Sequence, residues 1–243
     1  MFNRLDKELK KTDKALTKAL NTETKENKLK SSLMDKVPDK LATTLENAFL
    51  KAFELAFLKG TSIIEKTFDK EDIQVQHQVS DALINHRKSR KNIKGIDKLS
   101  SKKRLLNNTA ATASGAVLGF LGMGIPDIPV LVSVILKSTY ETALSYGFSY
   151  DDDSEKVFIL RIITNALSKT PSEVYYTDCI YADLNEEIQK TSKVLSDELL
   201  LEKFIQGIPV VGTFGALVNH SVVKKINHFS KLTYKKRYLL SKK

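Results

Sequence analysis

One acid stands alone in the longest apolar stretch of this chain. Asp127 is the single charged residue between Thr109 and Leu136, and a charge in apolar surroundings is costly unless a partner or ligand compensates it. Two roles fit it. It could be a buried carboxylate that binds a cation or ligand. It could also be a helix cap, because it lies between two Ile-Pro steps and can accept the free N–H groups of a helix opening at Pro129. The cap is the expected role. Lys137 and Glu141 follow four residues apart, the spacing of a helical ion pair. On a buried helix they become partners for Asp127, and the three form a candidate polar cluster.

The remaining reactive residue types suggest no chemistry. His77 and His86 are nine apart and His220 and His228 are eight apart, so neither pair has the i,i+4 spacing of a helical zinc site, and no metal is expected. Cys179 is the sole cysteine, set among polar residues without a histidine nearby in sequence. A bystander thiol in a reducing compartment is the expectation, since no internal disulfide can form. The chain has no Gly-x-Ser-x-Gly elbow, no P-loop and no Gly-x-Gly-x-x-Gly. No catalytic residue and no cofactor are assigned; Asp127 and Glu141 are where enzymatic chemistry would be sought first.

Charge is more informative. The net charge is +10, and it is concentrated. Arg87 to Arg104 holds nine Lys/Arg against Asp97 alone, and Ser221 to Lys243 holds eight and no acid, which leaves the rest of the chain net negative. Such patches attract phosphate-dense surfaces, lipid or nucleic acid. Arg87–Arg104 has little aromatic interleaving and no nucleic-acid motif, so the expected partner is anionic membrane lipid or a membrane protein. Lys102, Lys103, Arg104, Lys224, Lys225, Lys235, Lys236 and Arg237 are the candidate lipid contacts, with Tyr234 and Tyr238 able to sit at the interface.

The elements that must carry these residues read as helices throughout. Leu5, Leu9, Leu16 and Leu20 share one side of an N-terminal helix, followed by the polar linker "NTETKENK". Leu41, Leu45, Phe49, Ala52, Phe53 and Phe57 recur at helical spacing, with Gly60 placed to end that helix and Thr61 or Ser62 to cap the next. Ile63, Ile64, Phe68, Val75, Val79 and Leu83 continue a helical period to residue 86. Two apolar segments follow, 109–136 and 204–223, each broken by Gly-Ile-Pro. The first carries Ala111, Gly115 and Gly119 four apart, a spacing that permits close backbone approach. A helix from Pro129 to Tyr146 should end at Gly147, and others should span 153–169 and 172–203. The expected fold is an all-α multi-helix bundle with the two glycine- and proline-broken apolar segments at its centre. Three readings of those segments stay open: a buried hairpin, a partly inserted helix, and a true span.

Four motifs in order give the chain a relative. "GIPDIPVL" (124–131) with "YETALSYGF" (140–148), then "EKVFIL" (155–160), and "IPVVGTFGALVN" (208–219), together with "LENAFLKAF" and "KGTSIIEKT" earlier, resemble the EcsC protein family over residues 40–235. Lys137 stands where the family pattern has arginine, which keeps the charge but not the planar fork. The resemblance implies a cytoplasmic bacterial helper protein linked to a membrane and to an ABC transporter, and it transfers no catalytic residue. The chain divides into a polar, lysine-rich helix and linker (1–35), an EcsC-like helical domain (36–235) and a basic tail (236–243). The functional expectation is a peripheral protein at the inner face of the cell membrane that binds anionic lipid. The alternative is a module that binds a lipid or other hydrophobic ligand between its apolar helices. Nothing at the N-terminus resembles an export signal, and no pattern speaks to oligomeric state.

Overall fold

The computed structural model describes residues 4–21, 38–99, 127–168, 172–205 and 220–243. Helix α1 (Arg4–Asn21) buries Leu5, Leu9 and Leu16, while Thr12, also buried, donates its hydroxyl to the Glu8 carbonyl. Pro38, extended and unable to donate, precedes α2 (Asp39–Leu55), which buries Leu45, Phe49, Ala52 and Phe53. Gly60 does not end this helix. The backbone loosens into a π-helical stretch over Ala56–Gly60 and continues as α3 (Thr61–Glu65), with the Thr61 hydroxyl bonded 3.2 Å to the Ala56 carbonyl five residues back. The chain breaks only at 66–69. There Asp69 accepts the Asp72 N–H at 2.8 Å and opens α4 (Lys70–His86). Ser89 caps α5 (Arg90–Leu99) in the same way through Asn92.

Helix α6 (Asp127–Ser145) begins two residues before Pro129, and Gly147 closes it with φ +80°. Helix α7 (Asp153–Leu167) follows. The single helix expected over 172–203 is two elements: a 3₁₀ turn at Tyr176–Cys179 and α8 (Leu184–Ile205). Asp183 separates them by accepting the Glu186 N–H at 2.8 Å, a cap that starts a helix afresh. Helix α9 (His220–Ser241) runs almost to the C-terminus, so residues 236–241 are helix.

Helices α6, α2, α8, α7 and α9 pack in that order, and α9 returns to α6, closing a ring around the core. Helix α1 lies on α9, and α4 packs on both α5 and α6. Every regular element among the described residues is helical, so the all-α bundle stands.

Its centre is not what the hydropathy suggested. Among the described residues the most deeply buried helix is α6, buried along almost its whole length from Ile128 to Ser145 and only half apolar. Its second half is polar: Lys137, Ser138, Thr139, Glu141, Thr142 and Ser145 are all buried. The helix tolerates them because its hydroxyls fold back on its own carbonyls, Thr139 to Ile135 at 2.9 Å, Thr142 to Ser138 at 2.8 Å and Ser145 to Glu141 at 2.7 Å. Among the described residues no helix is long and apolar enough to cross a membrane. The bulk of both apolar segments, 109–126 and 206–219, lies outside the described residues; the described parts are the first half of α6, the last two residues of α8 and the first turn of α9.

Candidate functional site

The "YETALSYGF" stretch ends α6 and organises the chemistry around it. Gly147 is needed for two reasons: its φ of +80° disfavours any side chain, and a Cβ there would sit 2.3 Å from His77 Nε2. The bare backbone lets the His77 ring close on the turn, where Nδ1 lies 3.0 Å from the Ser145 carbonyl. Tyr146 and Phe148, either side of the glycine, reach different neighbours. The Tyr146 hydroxyl donates to Asp97 at 3.2 Å, while Phe148 packs on Tyr234 with centroids 5.8 Å apart. Tyr140 stacks on Tyr150 at 4.0 Å and 12°. The Tyr150 hydroxyl donates to Glu65 at 2.6 Å, where Lys70 also binds at 2.6 Å. Burial raises Glu65 toward neutrality, yet the hydrogen bonds from Lys70 and Tyr150 outweigh it and hold its pKa below the usual value.

Arg237 occupies the heart of this cluster. Its guanidinium grips the buried Glu155 carboxylate with both arms, at 2.6 and 2.9 Å. The same group lies 4.0 Å from the Phe148 ring centroid, 5.0 Å from that of Phe158 and 3.9 Å from that of Tyr176. Phe158 in turn meets Tyr234 edge-on at 5.3 Å. An arginine expected at the lipid surface is thus enclosed by three rings and a carboxylate.

Other cations of the C-terminal stretch follow the same logic. Lys225 pairs with Glu198 at 2.9 Å, Lys235 with Asp97 at 2.7 Å, and Lys242 with Asp81 at 2.6 Å. Lys236 bridges Asp13 at 2.9 Å and Glu173 at 2.7 Å, and Lys243 meets Asp6 at 2.9 Å. The basic C-terminal stretch therefore ties α1, α4, α5, α7 and α8 together. Lys224 alone of the α9 candidates is exposed with its side chain turned to solvent. Lys102, Lys103 and Arg104 lie outside the described residues.

The proposed trio is only partly visible. Lys137 is buried and donates 2.8 Å to the Thr67 carbonyl, satisfying the end of α3. Glu141 is buried one turn further along the same helix. Asp127 is the first residue of α6, and its side chain lies outside the described residues.

Sequence reasoning missed Glu155, Asp81, Asp97 and His77. Glu155 opens the "EKVFIL" motif, and that was the signal available for it. Asp81, Asp97 and His77 had none, because their partners lie 49 to 157 residues away. None of this assembles a reactive centre. Burial pushes the Cys179 thiol up to about 11, overcoming the attraction of Arg161, so it is a poor nucleophile. No group of three His, Cys, Asp or Glu able to hold a metal occurs among the described residues.

The cations leading into α5 and along it are not drawn into such pairs among the described residues. Arg87, Lys88, Arg90, Lys91, Lys94 and Lys98 are all exposed. Lys88 reaches only a backbone carbonyl, that of Lys242 at 3.0 Å. Beneath them Ile93 and Ile96 are buried and anchor the helix.

The chain is similar to an uncharacterized protein of Bacillus subtilis, YdbA, at 30% identity over 55% of this chain and 54% of that one, so the match spans about half the relative's length. It is also similar to the Bacillus subtilis protein EcsC, at 22% identity over 87% of this chain and 85% of the relative. No solved structure matches it. The EcsC protein family model covers residues 3–239, from the first helix through the Arg237 lock, and the chain belongs to that family.

Proposed function

We propose that this protein is a peripheral membrane protein that docks on anionic lipid through the outer face of α5, at the cytoplasmic face of the cell membrane. The observation that carries the reading is the contrast between two basic stretches. Most cations of the C-terminal stretch pair with carboxylates of other elements, whereas the six of Arg87–Lys98 face solvent without an ion pair among the described residues. A stretch that keeps that much like charge together is repelled by itself and attracted to a surface of opposite sign. Each basic residue near an anionic leaflet contributes about 1 kcal/mol, so three engaged side chains give roughly a hundredfold preference. Lys102, Lys103 and Arg104 extend the charge in sequence.

The test is co-sedimentation with vesicles of phosphatidylcholine alone or mixed with phosphatidylglycerol, at low and high salt. Binding should require the anionic lipid and weaken with salt. The double reversal K91E/K94E, at exposed positions of α5, should weaken it by ~30-fold or more without altering the thermal melt. Binding that ignores lipid charge would refute the reading. Binding to native membranes but not to pure lipid would replace the lipid with a membrane protein.

A further inference from the structure

The apolar period Val75, Val79, Leu83 in α4 has the spacing of a core stripe, but it faces outward. These three are 56%, 57% and 51% exposed. The inner face of the helix is carried instead by Ile73 and Ile84, both buried, with His77 and Asp81 directed at α6 and α9. Single exposed aliphatics are ordinary. Three at i, i+4 and i+8 make a continuous ridge about 12 Å long.

The charge around the ridge identifies its occupant. From Ile73 to Leu99 the only acids are Asp81 and Asp97, and both turn inward. Asp81 accepts the Tyr238 hydroxyl and pairs with Lys242, each at 2.6 Å, and Asp97 pairs with Lys235 at 2.7 Å. Glu71 in the first turn of α4 stays exposed one turn before Val75; beyond it, Lys235, Tyr238 and Lys242 draw both acids inward and leave the outer faces of α4 and α5 aliphatic and cationic. The two helices are held as a hairpin by Asn92, whose amide donates to the Leu83 and Arg87 carbonyls, each at 2.8 Å. An acidic protein groove would match the charge, and an apolar one the ridge. The interface of an anionic bilayer presents both in layers, phosphate outside and acyl chain beneath.

We propose that α4 and α5 form an interfacial membrane-binding hairpin, with Val75, Val79 and Leu83 inserted at the acyl boundary and the α5 cations on lipid phosphates. This rests on the lipid-docking reading above and adds an inserted element to it.

The chain contains no tryptophan, so Val79→Trp supplies a unique fluorophore on the ridge. Its emission should shift to the blue, and be quenched by brominated acyl chains, when phosphatidylglycerol-containing vesicles are added and not with phosphatidylcholine alone. Independently, V79S/L83S should weaken binding about tenfold, since two half-exposed aliphatics lose their transfer into lipid, with an unchanged melting temperature. If vesicles sediment V79W while its emission stays that of a water-exposed indole, the insertion is wrong and electrostatic docking survives. If neither the variant nor the unmodified protein sediments, both readings fall. Emission already shielded without vesicles overturns the insertion too: shielding lost on dilution means a second copy covers the ridge, and shielding kept means the chain covers it itself.

Discussion

Replacing Arg237 by methionine tests whether this residue is a structural lock or a lipid contact. The side chain makes two charge-assisted hydrogen bonds to Glu155 and lies over Phe148, Phe158 and Tyr176. Glu155 is buried. Methionine fills much of the same space, so the dominant loss is electrostatic: a carboxylate left in the interior without its counter-ion. Removing one partner of a buried pair costs about 3–5 kcal/mol, and the lost ring contacts add about 1 kcal/mol. Urea unfolding followed by circular dichroism should show the unfolding free energy falling by that amount, through a lower midpoint with little change in slope. Arg237→Lys should fall between, since it keeps the charge but not the two-armed grip. Glu155→Leu combined with R237M should recover most of the loss, because a pair replaced on both sides leaves nothing uncompensated. A loss below 1 kcal/mol for R237M would refute the lock. Normal stability with loss of vesicle binding would return Arg237 to the membrane surface.

Gly147→Ala should destabilise by about 2–3 kcal/mol, from the positive φ and the displaced His77 hydrogen bond; adding H77A should relieve the collision and leave about 1 kcal/mol of backbone cost, read from thermal melts. Cys179 should react with Ellman's reagent only on unfolding, because its thiol is buried and raised to about 11; rapid labelling of the folded protein would contradict the packing around Arg161. Glu65, Asp81 and Glu173 are all held below their usual values. Hydrogen bonds from Lys70 and Tyr150 and from Lys242 and Tyr238 outweigh the burial that raises the first two, and Lys236 lowers the third. A depressed folded pKa gives stability that is complete above the ordinary values of 4.5 and 3.8 and is lost as pH falls through the lower folded ones. Melting temperature should therefore drop steeply on acidification below about pH 4, and E65Q should flatten that limb.

The helical fold and most of its buried faces were legible in the sequence, because period and caps are local. Leu5, Leu9 and Leu16, or Phe49, Ala52 and Phe53, declare one face by spacing alone. Gly60 misled, since its capacity to end a helix is only a tendency, and the Thr61 hydroxyl together with packing carried the chain through a wider turn. Val75, Val79 and Leu83 misled in the opposite sense: a stripe on a helix has the same signature whether its partner is a core or something outside the protein.

The fate of the charges was not local at all. Composition alone determined that two stretches carry a large excess of cations, and it determined that no familiar catalytic motif is present. Which cations would be consumed internally depended on where the acids lay once the chain had folded. Arg237 meets Glu155 across 82 residues, Lys235 meets Asp97 across 138, and the Tyr238 hydroxyl meets Asp81 across 157. Only the tertiary structure brings those partners within 3 Å, because Coulomb attraction falls with distance in space and is indifferent to distance along the chain. The same packing that pairs most cations of the C-terminal stretch leaves those of α5 exposed.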